Sequence, residues 1–125
     1  MIESQSSKIK RLNNMNKIGF IGGGKMATAI IKGIINSGLY PKENIFVSDK
    51  NLDALNSLKE SFGINVTQDN SEIVKNTNIL LFAVKPFVLR DVLIELKENI
   101  LDYMNNISTM HHEFYRKKLL ECIKN

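Results

Sequence analysis

The stretch KIGFIGGGKMA, from Lys17 to Ala27, decides the fold. Its first five residues, Lys17 to Ile21, are predicted to form a short buried strand. Three glycines follow at once, and from Lys25 the apolar residues recur at helical spacing. The stretch therefore predicts a strand, a tight turn and a helix in immediate succession.

The turn carries the pattern Gly22-x-Gly24-x-x-Ala27, which in a strand–turn–helix context is typical of a dinucleotide site. Gly22 permits the tight turn, Gly24 lets a pyrophosphate approach the backbone, and the small Ala27 lets the helix lie close to the strand. Free N–H groups at the start of the helix would face the phosphates. The alternative, a glycine turn without a ligand, stays open at this point.

Outward from this stretch, strand and helix patterns alternate four times. Strands are predicted at 17–21, 45–48, 64–67 and 79–84, and helices at 25–37, 52–62, 70–76 and 88–96. The fourth strand is apolar on both faces, so we expect it in the centre of a parallel sheet. The alternation predicts an α/β fold, a Rossmann-type doubly wound parallel sheet with an extra C-terminal helix. With about four strands, the sheet is incomplete for a dinucleotide domain.

Three segments are expected along the chain. Residues 1–15 show no periodicity and are predicted to be a flexible extension, although Met15 is an alternative translation start. Residues 16–100 form the predicted NAD(P)-binding domain. Residues 101–125 form a divergent tail with no periodicity from Asp102 to Thr109, followed by a helix with one apolar side (Tyr115, Leu119, Cys122 and Ile123).

Charge and composition argue against several classes of protein. The net charge is +4, but residues 17–110 carry ten charges of each sign, so the excess lies at the two ends. This distribution does not favour nucleic-acid binding. No apolar run reaches the length of a membrane span, and no secretory signal is visible, so we expect a cytoplasmic protein without a membrane partner. The single cysteine and the adjacent His111 and His112 predict no metal site.

Two further positions are candidates for cofactor contacts. Asp49 ends the second strand, where an acidic residue commonly accepts a hydrogen bond from the adenosine ribose. Taken alone it favours NADH, whereas Lys50 beside it would offset the repulsion of a 2′-phosphate. An ordinary turn residue is the alternative.

The segment Ala83-Val84-Lys85-Pro86 follows the fourth strand, at the edge where open α/β sheets bind ligands. Pro86 favours an extended backbone at Lys85 and is well placed to open the next helix. The alternative is a strand-to-helix joint without a ligand.

Two of these motifs resemble a known family. Residues 17–33 closely resemble the opening of pyrroline-5-carboxylate reductases, and Ala83 to Pro86 match a second signature of that family. More distant coenzyme F420-dependent NADP reductases share the first motif but match the second less well. The resemblance covers about residues 16–100.

The resemblance implies reduction of 1-pyrroline-5-carboxylate to L-proline by NADPH or NADH. It places the pyrophosphate against the turn and the start of the helix (Ile21, Gly22, Gly23, Gly24, Lys25 and Met26). Asp49 and Asn51 would lie near the adenosine ribose, Asn70 would contact the cofactor, and Ala83 to Pro86 would lie near the nicotinamide. No catalytic residue is predicted.

The resemblance ends after about Ile100. The family's next strand and turn, and the helical domain that dimerises and contacts the substrate, have no counterpart in residues 101–125. We therefore expect the chain to bind cofactor but to lack the surface that orients the imine. A non-catalytic NAD(P)-binding module and a decayed, inactive product remain the alternatives.

Overall fold

The computed structural model describes residues 17–107 together with Lys117, Leu120 and Glu121, which are helical. The predicted extension at 1–15, His111, His112 and the apolar side of the last predicted helix lie outside these residues. The chain divides into two compact units, Met1–Ala83 and Val84–Asn125, which are described separately.

The first unit is a parallel sheet with a helix between successive strands. The described strands are β1 (Ile18–Ile21), β2 (Ile45–Ser48), β3 (Asn65–Thr67) and β4 (Ile79–Phe82). The helices are α1 (Lys25–Ser37), α2 (Leu52–Phe62) and α3 (Asn70–Asn76), and a 3-10 turn at Lys42–Asn44 precedes β2. The four strands are all parallel and lie in the order β3-β2-β1-β4. This arrangement confirms the predicted Rossmann-type α/β fold.

Alternation along the strands distributes side chains between the two faces of the sheet. Ile18 and Phe20 of β1, with Ile45 and Val47 of β2, belong to one buried cluster with residues of α1 and α2. Phe20 is fully buried in it. This hydrophobic core therefore lies between the sheet and the α1/α2 layer.

Gly19 faces the opposite layer, where α3 crosses the sheet. A Cβ at this position would lie 2.5 Å from Ile73 Cγ2 and 2.8 Å from Thr77 Oγ1. Since such distances are too short for real Cβ contacts, only glycine lets α3 approach β1 this closely. This role of Gly19 was not predicted from its place in the strand.

The expected central position of the fourth strand is wrong. β4 pairs with β1 and lies at the edge of the sheet formed by the described strands. Leu80, Leu81 and Phe82 are half-buried, and Ile79 is exposed. Apolar residues on both faces of a strand do not show whether a second strand pairs along its free edge, so the pattern could not distinguish a central strand from an edge strand.

Glycine ends α1 and α2, as predicted. Gly38 (φ 71°) and Gly63 (φ 68°) adopt the left-handed conformation after the last helical residue. The predicted apolar face of α1 is wider than the buried one, because Met26 and Ile30 are exposed.

The second unit contains α4 (Pro86–Glu95) and α5 (Lys97–Ile107). The expectation that no regular structure begins at Asp102 is wrong, because α5 continues through Asp102 to Ile107. Its buried residues include the neighbours Ile100 and Leu101. Two adjacent apolar residues do not by themselves show the repeat of three to four residues that predicts a helix. Over the residues that the structure describes, no helix combines the length and apolar character needed to cross a membrane.

Candidate functional site

The order in which strands are added to the sheet reverses beside β1. The chain builds β2 and β3 on one side of β1 and then returns to place β4 on the other side. The Ala83 N–H donates to the Ile21 carbonyl oxygen at 2.8 Å, which joins the carboxyl ends of β1 and β4. In open α/β sheets, ligands bind outside the carboxyl ends of the strands at such a reversal. The glycine-rich segment starts at this point.

Gly22 forms the turn out of β1. Its φ of 108° lies in a region that side chains other than glycine rarely adopt. Its N–H donates to the Ser48 carbonyl oxygen at 2.8 Å, so the turn is hydrogen-bonded to the end of β2. The predicted role of Gly22 in a tight turn is therefore visible in the backbone.

The first turn of α1 is open to a ligand. Gly24 is the N-cap residue, with no side-chain hydrogen bond to the helix and no acidic residue in the first turn. A Cβ on Gly24 would have no heavy atom within 4 Å. Uncapped N–H groups and the positive end of the helix dipole suit an anion, and the space above Gly24 leaves room for one to approach.

The other two small residues of the motif serve packing. A Cβ at Gly23 would lie 3.1 Å from Leu58 Cδ1 and 3.2 Å from Val47 Cγ1, so the turn rests directly on the core. Ala27 is completely buried at the start of α1. A groove of about 490 Å³ between α1 and α2 begins at Gly23 and Gly24. The motif thus presents Gly24 outward while Gly23 and Ala27 fix its position.

The polar turn after β2 lies against the glycine turn. Asp49 is half-buried, and its Oδ2 accepts the Gly23 N–H at 2.8 Å while its Oδ1 accepts the Asn51 N–H at 2.8 Å. Asn51 is exposed and caps α2, because its Oδ1 accepts the Ala54 N–H at 3.2 Å. Two predicted site residues, Asp49 and Asn51, therefore join the glycine turn at one edge of the sheet.

Ser48 and Asn70 form a buried pair beneath this edge. The Ser48 hydroxyl donates to Asn70 Oδ1 at 2.6 Å, and both residues are buried. The bond fixes the orientation of the amide, which leaves its Nδ2 donors for other partners. Ser48 was not among the predicted site residues. Ser48 lies two residues after Phe46, so its side chain is on the face of the sheet that α3 covers. A polar side chain at this end of a buried strand indicates that it has a hydrogen-bond partner there.

Asp69 holds the start of α3, the helix that carries Asn70. Asp69 Oδ1 accepts the Ser71 N–H at 2.9 Å and the Ser71 hydroxyl at 2.7 Å. These hydrogen bonds from the Ser71 side chain and backbone lower the pKa of Asp69 below its ordinary value. The cap therefore depends on the ionised carboxylate.

The second predicted signature spans the boundary between the two units. Ala83 closes the first unit, whereas Val84, Lys85 and Pro86 belong to the second. Lys85 is exposed and extended (φ −66°, ψ 149°), and Pro86 is the first residue of α4. This confirms the predicted joint and its helix start, while contact with a nicotinamide stays a prediction.

Within residues 17–107 and the three described residues beyond them, no three His, Cys, Asp or Glu side chains lie close enough to hold a metal ion.

Comparison with known proteins places these features in a family. Residues 17–112 match the family described as NADP oxidoreductase, coenzyme F420-dependent. The chain is 46% identical over 84 residues to a pyrroline-5-carboxylate reductase of Methanosarcina acetivorans, covering 67% of this chain and 31% of that protein. The chain spans about three tenths of the length of the curated relatives that it matches first.

Solved structures give the same result. The structure of a pyrroline-5-carboxylate reductase from Coxiella burnetii aligns with a TM-score of 0.63 and 41% identity, over 68% of this chain and 31% of the other. Plasmodium falciparum pyrroline carboxylate reductase with NADP bound aligns with a TM-score of 0.56 and 31% identity, over 73% of this chain and 31% of the other. These matches confirm the resemblance seen in the sequence.

Proposed function

The chain belongs to the coenzyme F420-dependent NADP oxidoreductase family, and from this premise we propose that it is the cofactor-binding portion of a pyrroline-5-carboxylate reductase. The proposed reaction is the reduction of 1-pyrroline-5-carboxylate to L-proline. The observation that carries the proposal is the uncapped start of α1 behind a glycine turn. It occurs in a chain whose identified relatives are pyrroline-5-carboxylate reductases.

The described residues fit a dinucleotide. The backbone N–H groups of Lys25 and Met26 would hold the pyrophosphate at the start of α1, with Ile21 to Gly24 forming the turn around it. Asn51 would lie near the adenosine ribose, and Asn70 would offer its amide N–H groups. The Plasmodium falciparum relative was solved with NADP bound, and the family is one of NADP oxidoreductases, which supports NADPH or NADH as the cofactor.

When bound, the cofactor would supply the hydride that reduces the imine carbon. The electron pair of the C=N bond then passes to the ring nitrogen, which carries a proton, so the product is the secondary amine. Ala83 to Pro86 would line the nicotinamide half of the site. The part proposed for the glycine turn is to fix the pyrophosphate, so that the nicotinamide is held at a defined distance from the sheet edge.

The first experiment is a titration of the full chain with NADPH and NADH, followed by nicotinamide fluorescence, beside the variant Gly24→Asp. The new carboxylate would occupy the anion position and repel the pyrophosphate, so we expect a loss of at least about a hundredfold in affinity. Aspartate is a good N-cap residue, so the melting temperature should stay unchanged or rise slightly.

Gly33→Asp is the matched control. Gly33 lies on α1, is exposed, and would also place its Cβ in open space. The same substitution there should leave binding intact. A folded wild-type chain that binds neither nucleotide would contradict the proposal.

A dinucleotide-binding module without reductase activity is the second candidate. It is favoured because the contacts described at the carboxyl ends of the strands suit a dinucleotide. Among the described residues, none is proposed to contact the imine. Proline formation from 1-pyrroline-5-carboxylate and NADPH distinguishes the two. Binding without turnover by the purified chain would support the module.

A further inference from the structure

Among the described residues, Asp49 is the one whose side chain reaches from the end of β2 into the glycine turn. Its Oδ2 accepts the N–H of Gly23, 26 residues earlier in the chain, at 2.8 Å. Its Oδ1 accepts the N–H of Asn51 at 2.8 Å. Each carboxylate oxygen is therefore engaged by a backbone donor, and together they join the turns after β1 and β2.

The glycine turn has few other means of holding its shape. Gly22, Gly23 and Gly24 contribute no side chain, and glycine has the largest conformational freedom to lose on ordering. Two hydrogen bonds run from the turn to the end of β2, one from Gly22 N–H to the Ser48 carbonyl and one from Gly23 N–H to Asp49. The second bond has a charged acceptor, and such bonds are stronger than those between neutral groups.

The position of Gly23 makes this bond decisive for the shape of the turn. Gly23 is buried, with Leu58 and Val47 beneath it and Asp49 Oδ2 beside it. Its N–H points to the carboxylate, so the next residue, Gly24, is left facing open space. If the bond were lost, the Gly23 peptide would be free to rotate, and the donors at the start of α1 would no longer be preorganised.

We propose that Asp49 is a positioning residue, whose carboxylate holds the glycine turn in the shape that receives the dinucleotide pyrophosphate. The proposal rests on the proposed cofactor binding and deepens it. It differs from the interpretation in which Asp49 accepts a hydrogen bond from the adenosine ribose, because the effect of Asp49 then extends to every ligand that uses the turn.

Three interpretations of Asp49 predict different outcomes for Asp49→Asn. A ribose acceptor predicts weaker NADH binding but no effect on an NADH analogue that lacks the adenosine 2′-hydroxyl. A repulsive charge beside the phosphates predicts tighter NADPH binding. A positioning residue predicts weaker binding of all three ligands by a similar factor. The amide replaces one carboxylate oxygen by an NH2 donor, so the Gly23 and Asn51 N–H groups compete for the one oxygen that is left, and that oxygen is uncharged.

The test uses the full chain and its variants Asp49→Asn and Asp53→Asn. Asp53 is exposed in the first turn of α2, so its substitution makes the same change in charge near the site without removing an acceptor of the Gly23 N–H. Each protein is titrated with NADH, NADPH and the 2′-deoxyadenosine analogue of NADH. We expect Asp49→Asn to weaken all three by roughly tenfold, the loss of one charge-assisted hydrogen bond, and Asp53→Asn to change none of them more than about twofold.

The amide resonance of Gly23 supplies a spectroscopic readout in the free protein. In ¹⁵N-glycine-labelled chain, we expect slow exchange of the Gly23 amide proton in the wild type and fast exchange in Asp49→Asn, with the Gly33 amide unchanged. A purely structural role would instead lower the melting temperature without altering the affinity of the folded chain. If Asp49→Asn does not fold, Asp49→Ser is expected to show the same uniform loss, because its shorter side chain cannot reach Gly23.

The outcomes separate the two proposals. If the folded wild type binds no dinucleotide, the proposed function fails and the positioning role with it. If the wild type binds and Asp49→Asn binds equally well, more tightly, or more weakly only where a 2′-hydroxyl is present, the positioning role is overturned while the proposed function stands. Fast exchange of the Gly23 amide in the wild type also overturns it.

Discussion

The glycine turn after β1 and the polar turn after β2 end neighbouring strands at the same edge of the sheet, but they are built in opposite ways. The glycine turn, Gly22 to Gly24, is backbone alone, with a positive φ at Gly22 and open space above Gly24. The polar turn, Ser48 to Asn51, is built from side chains that reach the glycine turn, α2 and α3. In the proposed function, the glycine turn would offer its backbone to the ligand, and the polar turn would hold that backbone in place.

The difference explains what each turn tolerates. In the glycine turn, an added side chain meets an unfavourable backbone conformation at Gly22, the core at Gly23, and open space at Gly24. In the polar turn, a lost side chain leaves a hydrogen-bonding group elsewhere in the fold without its partner. Substitutions in the two turns should therefore separate effects on backbone conformation from effects on hydrogen bonding.

The largest effect is expected from Gly22→Ala. Alanine must adopt the φ of 108°, and strain of this kind costs up to about 3 kcal/mol in the free energy of unfolding. Gly33→Ala, in open space on α1, is the control and should stabilise the chain by roughly 0.5–1 kcal/mol. Urea unfolding followed by circular dichroism measures both. Equal stabilities for Gly22→Ala and the wild type would show that the turn relaxes without cost.

An intermediate effect is expected from Ser48→Ala. The change removes the hydroxyl that donates to Asn70 Oδ1 and leaves a buried acceptor without its partner, at a cost of about 1–2 kcal/mol in the free energy of unfolding. The exposed Ser57 on α2 provides the control Ser57→Ala, which should change stability by less than about 0.5 kcal/mol. Urea unfolding again measures the difference. A Ser48→Ala chain as stable as the control would mean that Asn70 finds another donor.

Sequence predicts the two turns unequally for a physical reason. Glycine is favoured where the backbone φ is positive or where another group approaches closely, so its presence indicates local geometry. The spacing of Gly22, Gly24 and Ala27 was therefore enough to predict their roles. Polar residues instead act through partners that are distant in sequence, such as Asp49 with Gly23 and Ser48 with Asn70. Asp49 was therefore recognised as a candidate with the ribose as its expected partner, while Ser48 was not recognised.

The same limit applies to the sheet. Periodicity predicted the four strands, helices α1 to α4 and the glycine caps because these depend on local sequence, whereas α5 was not predicted. The edge position of β4 and the close approach of α3 to Gly19 depend on which elements meet. Neither is encoded in the period of a single segment.

The smallest effect is expected in the pH dependence of stability, through Asp69, which caps the helix that holds the partner of Ser48 in the polar turn. Gly22, Gly23 and Gly24 carry no ionisable side chain, whereas Asp69, which caps the helix bearing Asn70, is ionised when it accepts its bonds from Ser71. The pKa of Asp69 is lower in the folded chain, so its contribution to stability is present above the unfolded pKa of about 4 and is lost as the pH falls through the folded pKa. Asp69→Asn keeps an oxygen for the Ser71 N–H but cannot ionise, so its melting temperature should fall less between pH 6 and pH 3 than that of the wild type. The contribution is small because Asp69 is exposed to solvent.

The control Asp53→Asn removes an exposed acidic residue from the first turn of α2 and leaves the Asp69 cap intact, so it should keep the acid sensitivity of the wild type. If both variants lost the same stability on acidification as the wild type, the acid-sensitive part of the fold would have to lie away from α3.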